Sequence, residues 1–323
     1  MTRVAAIDCG TNSIRLLVAD LTHRDDGSVW LRDVHREMRI VRLGQGVDAT
    51  GRLAPEAIER TRAALADYVA IMRRKGAERV RMVATSATRD AGNRDDFFTM
   101  TRETLGVEAE VITGDEEARL SFIGAVGDLP PEDGPFLVTD IGGGSTEFVV
   151  GTWDGVKATI QSAKSVDIGC VRLTERALHD DPPTEEQIAE ARKIADDVLA
   201  EAFDAVPVGQ ARTWVGVAGT VTTLSALVLN LPAYDSDEIH LSHLTATGIR
   251  DTARRLLTMS HDERAALPVL HPGRVDVIGG GALIVQSIAE RLFSETGITK
   301  LLASEHDILD GIALSIIEPP DSE

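Results

Sequence analysis

One phosphate-loop pattern occurs twice in this chain at a constant offset. Asp8, Gly10 and Ser13 match Asp140, Gly142 and Ser145, each pair 132 positions apart (140 − 8, 142 − 10, 145 − 13). In each copy an apolar, β-branched run enters the Asp, a Gly turn follows, and a second apolar run leaves it. This is the pattern of a β-hairpin whose turn exposes backbone N–H groups beside one carboxylate. Apart from Arg15, residues 14–18 and 148–150 are aliphatic and aromatic runs where a Walker loop would open a helix, which excludes that loop. Two such hairpins are suited to grip a phosphate chain and a metal ion. Taken singly, each is no more than an ordinary Gly turn; the fixed offset is what singles them out.

At 323 residues the chain is long enough for two domains with full cores. No apolar run approaches a membrane span, and the N-terminus enters a strand directly with no signal-peptide pattern, so a cytoplasmic protein without membrane association is expected. The two cysteines, Cys9 and Cys170, give no disulfide framework. A net charge of −19 argues against nucleic-acid binding, because the whole-protein field repels polyanions. Any anionic substrate must then be held by a local site. Only five of the 33 basic residues are Lys, and Arg suits bidentate phosphate contacts.

Strands and helices alternate along the chain. A third strand is expected near 30–42, and a helix over 57–72 is closed by Gly76. A buried strand over 80–84 leads to a segment in which Asn93 is placed to cap the next helix. A short strand over 108–112 runs into a helix whose first turn is acidic, Asp115, Glu116 and Glu117. In the second half, Thr184 and Gln187 read as a capping box for a long helix to about residue 203. Residues 214–218 read as a strand entering a Gly219-Thr220 turn that opens a helix, whose amides are suited to phosphate. Residues 275–282 read again as strand, Gly turn and helix, with Gly279, Gly280 and Gly281 as the loop. The apolar helix 307–317 is expected to return to the first domain. Domain I is placed at 1–124 plus 304–323, and domain II at 125–303.

The two Asp-x-Gly hairpins, the Gly219-Thr220 segment and the Gly279–281 segment resemble the motifs of the acetate kinase, sugar kinase, Hsp70 and actin superfamily. More narrowly, the segments 140–147, 114–119, 84–89, 165–175 and 274–276 are similar to the exopolyphosphatase/guanosine pentaphosphate phosphohydrolase family. The similarity spans nearly the whole chain. It implies an α/β fold of two ribonuclease-H-like (actin-like ATPase) domains, each a mixed sheet flanked by helices, with the active site in the interdomain cleft. It also implies a homodimer. The implied activity is metal-dependent release of terminal orthophosphate from inorganic polyphosphate. The alternatives are hydrolysis of the 5′ phosphate of guanosine pentaphosphate, or ATP binding by a kinase or ATPase of the superfamily. Family members often continue into C-terminal helical domains, whereas this sequence stops after the core with the acidic segment 318–323. From that, a preference for short chains with distributive release is expected. The Gly279–281 segment is richer in Gly than the family's usual loop and resembles an adenosine loop.

Asp140 and Glu147 flank the second turn and supply hard oxygen ligands for Mg²⁺, or another divalent cation such as Mn²⁺. In another setting the same carboxylates would merely solvate strand ends. Asp8 is the equivalent carboxylate of the first hairpin and is expected to orient a water on the metal. The amides of Gly10, Thr11, Asn12 and Ser13, and of Gly142, Gly143, Gly144, Ser145 and Thr146, are expected to form nests for oxyanions. By resemblance the catalytic Glu lies in the 116–119 segment and is assigned to Glu117, with Glu116 as the alternative. Crowding by Asp8 and Asp140 is expected to raise its pKa. On the residues alone, either Glu reads equally as a partner of the helix dipole. Arg89 is a candidate clamp on the terminal phosphate, Arg172 a weaker one. His240-x-x-His243 has metal-like spacing but no further ligand nearby in sequence, and reads as ordinary polar structure.

Overall fold

The computed structural model describes residues 1–317; the acidic segment 318–323 lies outside them. The chain divides into two compact units. One comprises Met1–Gly127, Asp154–Ala158 and the chain from Asp307 on, the other Asp128–Trp153 and Thr159–His306. No helix among the described residues is long and apolar enough to cross a membrane.

The first unit is built on a five-stranded sheet. β1 (Thr2–Cys9) and β2 (Ser13–His23) are the arms of the first hairpin, and β3 (Val29–Ile40) extends the meander. β4 (Arg79–Ala84) and β5 (Glu110–Val111) then add in parallel, giving the order β3-β2-β1-β4-β5. The helix Pro55–Lys75 starts with Pro in its first turn and stops at Gly76, whose φ of 74° is the left-handed cap that Gly adopts without strain. Its buried face carries Ala57, Thr61, Leu65, Tyr68 and Met72, the expected helical spacing. Tyr68 Oη reaches from that face to donate to Ile14 O on β2 at 3.0 Å.

The short helix Ser86–Asp90 has no counterpart in the pattern of the sequence. Asn93 stands at the head of the helix Arg94–Leu105 but does not cap it with its side chain. Its Oδ1 accepts instead from Leu53 N–H at 2.8 Å, and its Nδ2 donates to Leu53 O, so a long-range contact takes the group that a local cap would need.

The last helix, Ile308–Ser315, belongs to the first unit. Ile308, Leu309, Ile312 and Ala313 join Val4, Leu17, Val83 and Leu120 in one apolar cluster. The approach is close enough to require glycine on both sides. A β-carbon on Gly311 would lie 2.0 Å from Leu120 O, and one on Gly124 would lie 1.8 Å from Asp307 O. Because the obstacles are backbone atoms, neither neighbour can move aside. Gly311→Ala is therefore expected to destabilise the protein by about 3 kcal/mol. A thermal melt that matches wild type would remove this contact from the account.

The second unit repeats the first. β6 (Phe136–Ile141) and β7 (Thr146–Trp153) form the second hairpin, followed by β8 (Ala158–Val166), β9 (Thr213–Val217), β10 (His243–Thr245) and β11 (Lys300–Ala303). Their order is β10-β11-β9-β6-β7-β8. Reading outward through β8-β7-β6-β9-β11 gives the same meander-then-parallel arrangement as the first sheet, the ribonuclease-H-like topology expected twice. Trp214 on β9 is fully buried, its Nε1–H satisfied by Thr139 Oγ1 at 2.9 Å on β6.

Three local expectations fail here. The capping box at Thr184 is half made: Thr184 Oγ1 accepts from Gln187 N–H, but the Gln187 amide turns to Asp180. Gly219 and Thr220 do not form a turn, since the helix Ala218–Val228 begins directly at the end of β9. Residues 275–277 are a turn after the short 3-10 helix Pro272–Arg274, and Gly279, Gly280 and Gly281 lie inside the helix Ile278–Glu295. These glycines serve close packing. A β-carbon on Gly280 would meet Thr174 Oγ1 at 2.6 Å, and one on Gly281 would meet Thr220 Cγ2 at 2.7 Å. The loop read as adenosine-like is thus a helix face covered by protein.

Candidate active site

Register explains how each hairpin sets its charged pair. In an antiparallel pair, directly opposed residues carry their side chains on one face with β-carbons about 5 Å apart. β6 and β7 oppose Asp140 and Glu147 in this way, while β1 and β2 oppose Asp8 and Arg15. The spacing of seven is the same in both copies (147 − 140, 15 − 8), but the second copy pairs two acids and the first pairs an acid with a base.

In the second unit, Asp140 and Glu147 are both buried, and Glu147 Oε1 accepts from Ser165 Oγ on β8 at 2.7 Å. Two buried acids on neighbouring strands are costly unless a cation or protons offset them. This oxygen-only donor pair beside a turn of amides fits Mg²⁺ or Mn²⁺.

The turn itself is held through its carbonyls. Gly142 O accepts from Cys170 N–H at 3.0 Å, Gly143 O from Val171 and Arg172 N–H, and Gly144 O from Arg172 Nε at 2.7 Å. The first turn of the helix Cys170–Ala177 thus sits on the hairpin, an approach only Gly169 permits: its β-carbon would lie 2.4 Å from Gly143 C. With the carbonyls engaged, the amides of Gly143 and Gly144 remain, and they donate to no other group among the described residues. The expected nest is narrower than the sequence suggests. Gly142 N–H closes the turn onto Ser145 O at 3.1 Å and so is not available to an anion. Arg172, read as a weak phosphate clamp, braces the turn.

The first unit builds its turn by the same rule. Thr11 O accepts from Gly44 N–H, and Asn12 O from the amides of Val41 and Arg42. Gly10 N–H closes onto Ser13 O at 2.9 Å, and Thr11 Oγ1 pairs with Ser86 Oγ. Thr11 N–H is left as a donor without an acceptor among the described residues.

Asp8 is buried, and its two oxygens differ. Oδ2 accepts from Arg15 Nε at 2.9 Å and from Nη2 at 2.7 Å, whereas Oδ1 has no hydrogen-bond partner among the described residues. Burial pushes the Asp8 carboxyl up; Arg15 pulls it back, and the like charge of Asp307 adds to the rise. Arg15 also holds Asp307, which caps the last helix by accepting from Leu309 N–H. Burial opposes the charge on Asp307 too, but Arg15 and the Leu309 amide outweigh it and hold that carboxyl below its ordinary value. The orphaned Oδ1 is the one atom of this network left to take a water or a cation.

Glu117 and Glu116 start the helix Gly114–Val126, capped by Thr113, whose Oγ1 accepts from Glu116 N–H. Being adjacent, they point to different faces. Glu116 faces Arg119 at 3.0 Å and Arg81 at 3.5 Å. Glu117 is buried, and its Oε2 lies 3.0 Å from Arg89 Nη1, which also donates to Ile112 O. One neighbour of Glu117 is therefore the cation proposed as the phosphate clamp.

At Gly219 the guanidinium of Arg274 lies flat on the backbone. A β-carbon there would be 2.1 Å from Nη2, and Nη1 donates to Gly219 O and Thr223 Oγ1. Thr220 is buried against Gly281. Ala218, at the strand-to-helix junction, has φ 69°, a left-handed conformation that costs a non-Gly residue about 1 kcal/mol or more. Arg15, Ser165 and Asp307 carry site geometry that sequence reasoning did not assign. Arg15 was open to discovery, since it occupies the Glu147 position of the repeat.

The profile of the Ppx/GppA phosphatase family matches residues 21–316. The Mycobacterium tuberculosis protein named Exopolyphosphatase 2 is 57% identical over 324 residues, covering 98% of this chain and 99% of its own. A crystal structure of an Aquifex aeolicus Ppx/GppA family member superposes with a TM-score of 0.78 at 32% identity, covering 100% of this chain and 99% of its own. A crystal structure of an exopolyphosphatase from Cytophaga hutchinsonii superposes with a TM-score of 0.85 at 25% identity, covering 96% of each chain.

Proposed function

Because the chain belongs to the Ppx/GppA phosphatase family, we propose that it hydrolyses the terminal phosphoanhydride of inorganic polyphosphate in a reaction that depends on a divalent cation. The observation that carries this reading is the duplicated hairpin with its carbonyls engaged and its amides left as donors, beside buried carboxylates. Such a site recognises phosphoryl oxygens rather than bases, and lets a chain of net charge −19 hold a polyanion. Guanosine pentaphosphate presents the same oxygens. The adenosine-loop reading of Gly279–281 lends the nucleotide alternative no support, since these residues lie buried in a helix.

The proposed roles rest on residue chemistry and on the local geometry within each unit. Asp140 and Glu147 would hold the cation, with Ser165 orienting Glu147. Mg²⁺, when bound, neutralises charge on the phosphoryl oxygens. The amides of Thr11, Gly143 and Gly144 receive phosphoryl oxygens. Asp8 Oδ1 accepts a hydrogen bond from the attacking water, and Glu117 takes its proton as the water oxygen bonds to the terminal phosphorus. The bridging oxygen leaves with the shortened chain, and orthophosphate is released. Arg89 engages the terminal phosphate and, without substrate, neutralises Glu117.

Arg89→Ala removes a charge-assisted contact, and such contacts contribute about 1.5–3 kcal/mol. KM for polyphosphate is expected to rise about tenfold to a hundredfold, with Arg89→Lys between this variant and wild type, because the ammonium keeps charge but not the planar fork. An unchanged kcat/KM would take Arg89 out of the site. The activity as a whole is tested by orthophosphate release from polyphosphate, guanosine pentaphosphate and ATP side by side. Polyphosphate is expected to be turned over fastest, and turnover of ATP alone would replace this reading with a nucleotidase or kinase.

A further inference from the structure

Apart from the two hairpins, the second unit gathers three side chains from distant parts of the sequence. Asp128 Oδ2 lies 2.9 Å from His306 Nδ1 and 3.5 Å from His240 Nε2. The two rings stack with centroids 4.8 Å apart and planes 26° from parallel. One ligand atom from each of the three falls within 4.8 Å of the others. We propose that Asp128, His240 and His306 form a transition-metal site that takes Zn²⁺, with water completing a tetrahedral shell.

Two imidazoles and a carboxylate favour zinc over magnesium, which prefers oxygen donors such as Asp140 and Glu147. Donor atoms around tetrahedral zinc, with bonds of about 2.0–2.1 Å, lie roughly 3.3 Å apart. The observed 2.9 and 3.5 Å bracket that value. Asp128 is half exposed and the rings are partly so, which leaves room for the ion to enter and for water as the fourth ligand. His240 Nδ1 accepts from Glu305 N–H at a long 3.3 Å, which leaves Nε2 facing the carboxylate. Metal on Nε2 moves the ring proton to Nδ1 and gives up that weak contact.

The placement also says what an ion there would do. Asp128 is the first residue of the second unit and His306 its last. An ion shared by these residues and His240 staples the two ends of the unit together and adds its binding free energy to the unit's stability.

The test is equilibrium dialysis of the tag-free full chain against Zn²⁺ in excess Mg²⁺, with bound zinc counted by mass spectrometry and each sample melted. Wild type, Glu147→Ala and His243→Ala are expected to hold one zinc per chain and to melt higher with zinc than without. His240→Ala and His306→Ala, which remove direct ligands, are expected to weaken binding beyond the roughly 100-fold upper range for loss of an outer-shell partner. Should either variant fail to fold, wild type loaded with Co²⁺ tests the same site through the visible bands of tetrahedral cobalt, which are expected to appear and whose absence would count against the site. Wild type that holds no zinc, zinc binding unaffected by both His substitutions, or zinc lost in His243→Ala would overturn the proposal.

Discussion

Glu117→Gln is expected to leave polyphosphate binding intact and to lower kcat by about 10²–10⁴-fold, the usual loss when a general base is removed. The amide keeps the size of the side chain and can still accept from Arg89 Nη1, so the contact at 3.0 Å is weakened rather than abolished. What disappears is the capacity to accept a proton. The matched control is Glu116→Gln. Its carboxylate faces Arg119 and Arg81 on a part-exposed face, so the substitution removes surface ion pairs and is expected to cost at most about 1 kcal/mol of stability, with kcat near wild type. Normal turnover in both variants would take the segment out of the mechanism, and a large loss confined to Glu116→Gln would shift the role by one residue.

The fold was largely legible because its strongest signals are local. The hairpins show as apolar runs around Asp-x-Gly, and the helix ending at Gly76 shows as a 3.6-residue stripe with a glycine stop. Misreadings arose where a distant partner overrides local preference. Residues 275–278 are β-branched enough to resemble a strand, and three glycines after them resemble a turn. Gly280 and Gly281 are instead required by Cys170, Thr174 and Thr220, which press on the helix from other elements. Asn93 and Gln187 have the right identity for caps, but Leu53 and Asp180 claim their side chains.

The site was legible as a set of residue types and much less as pairings. Asp140 and Glu147 could be named from the motif, yet only the strand register makes them face one another. The same register turns Arg15 into the partner of Asp8, and hence leaves one Asp8 oxygen engaged and one orphaned. That Glu117 meets Arg89, 28 residues away, depends on β4 and β5 lying side by side, a relation that periodicity does not express.

The largest loss is expected from Glu147→Ala. Removing one of two opposed carboxylates would leave Asp140 alone to hold the proposed cation, and frees Ser165 from its partner. Charge stabilisation by a bound cation is worth several kcal/mol, so orthophosphate release is expected to fall on the order of 10³-fold or more. Folding should survive, because the change relieves repulsion between buried acids even as it opens a small cavity. The most direct test is orthophosphate release from polyphosphate as a function of Mg²⁺, for wild type and Glu147→Ala, after exhaustive treatment with EDTA. Wild type should be silent without the metal and recover saturably as Mg²⁺ returns, while Glu147→Ala should stay silent at every concentration. Release that persists in EDTA, or a Glu147→Ala enzyme that saturates with Mg²⁺ like wild type, would contradict the assignment of these carboxylates as the seat of the chemistry.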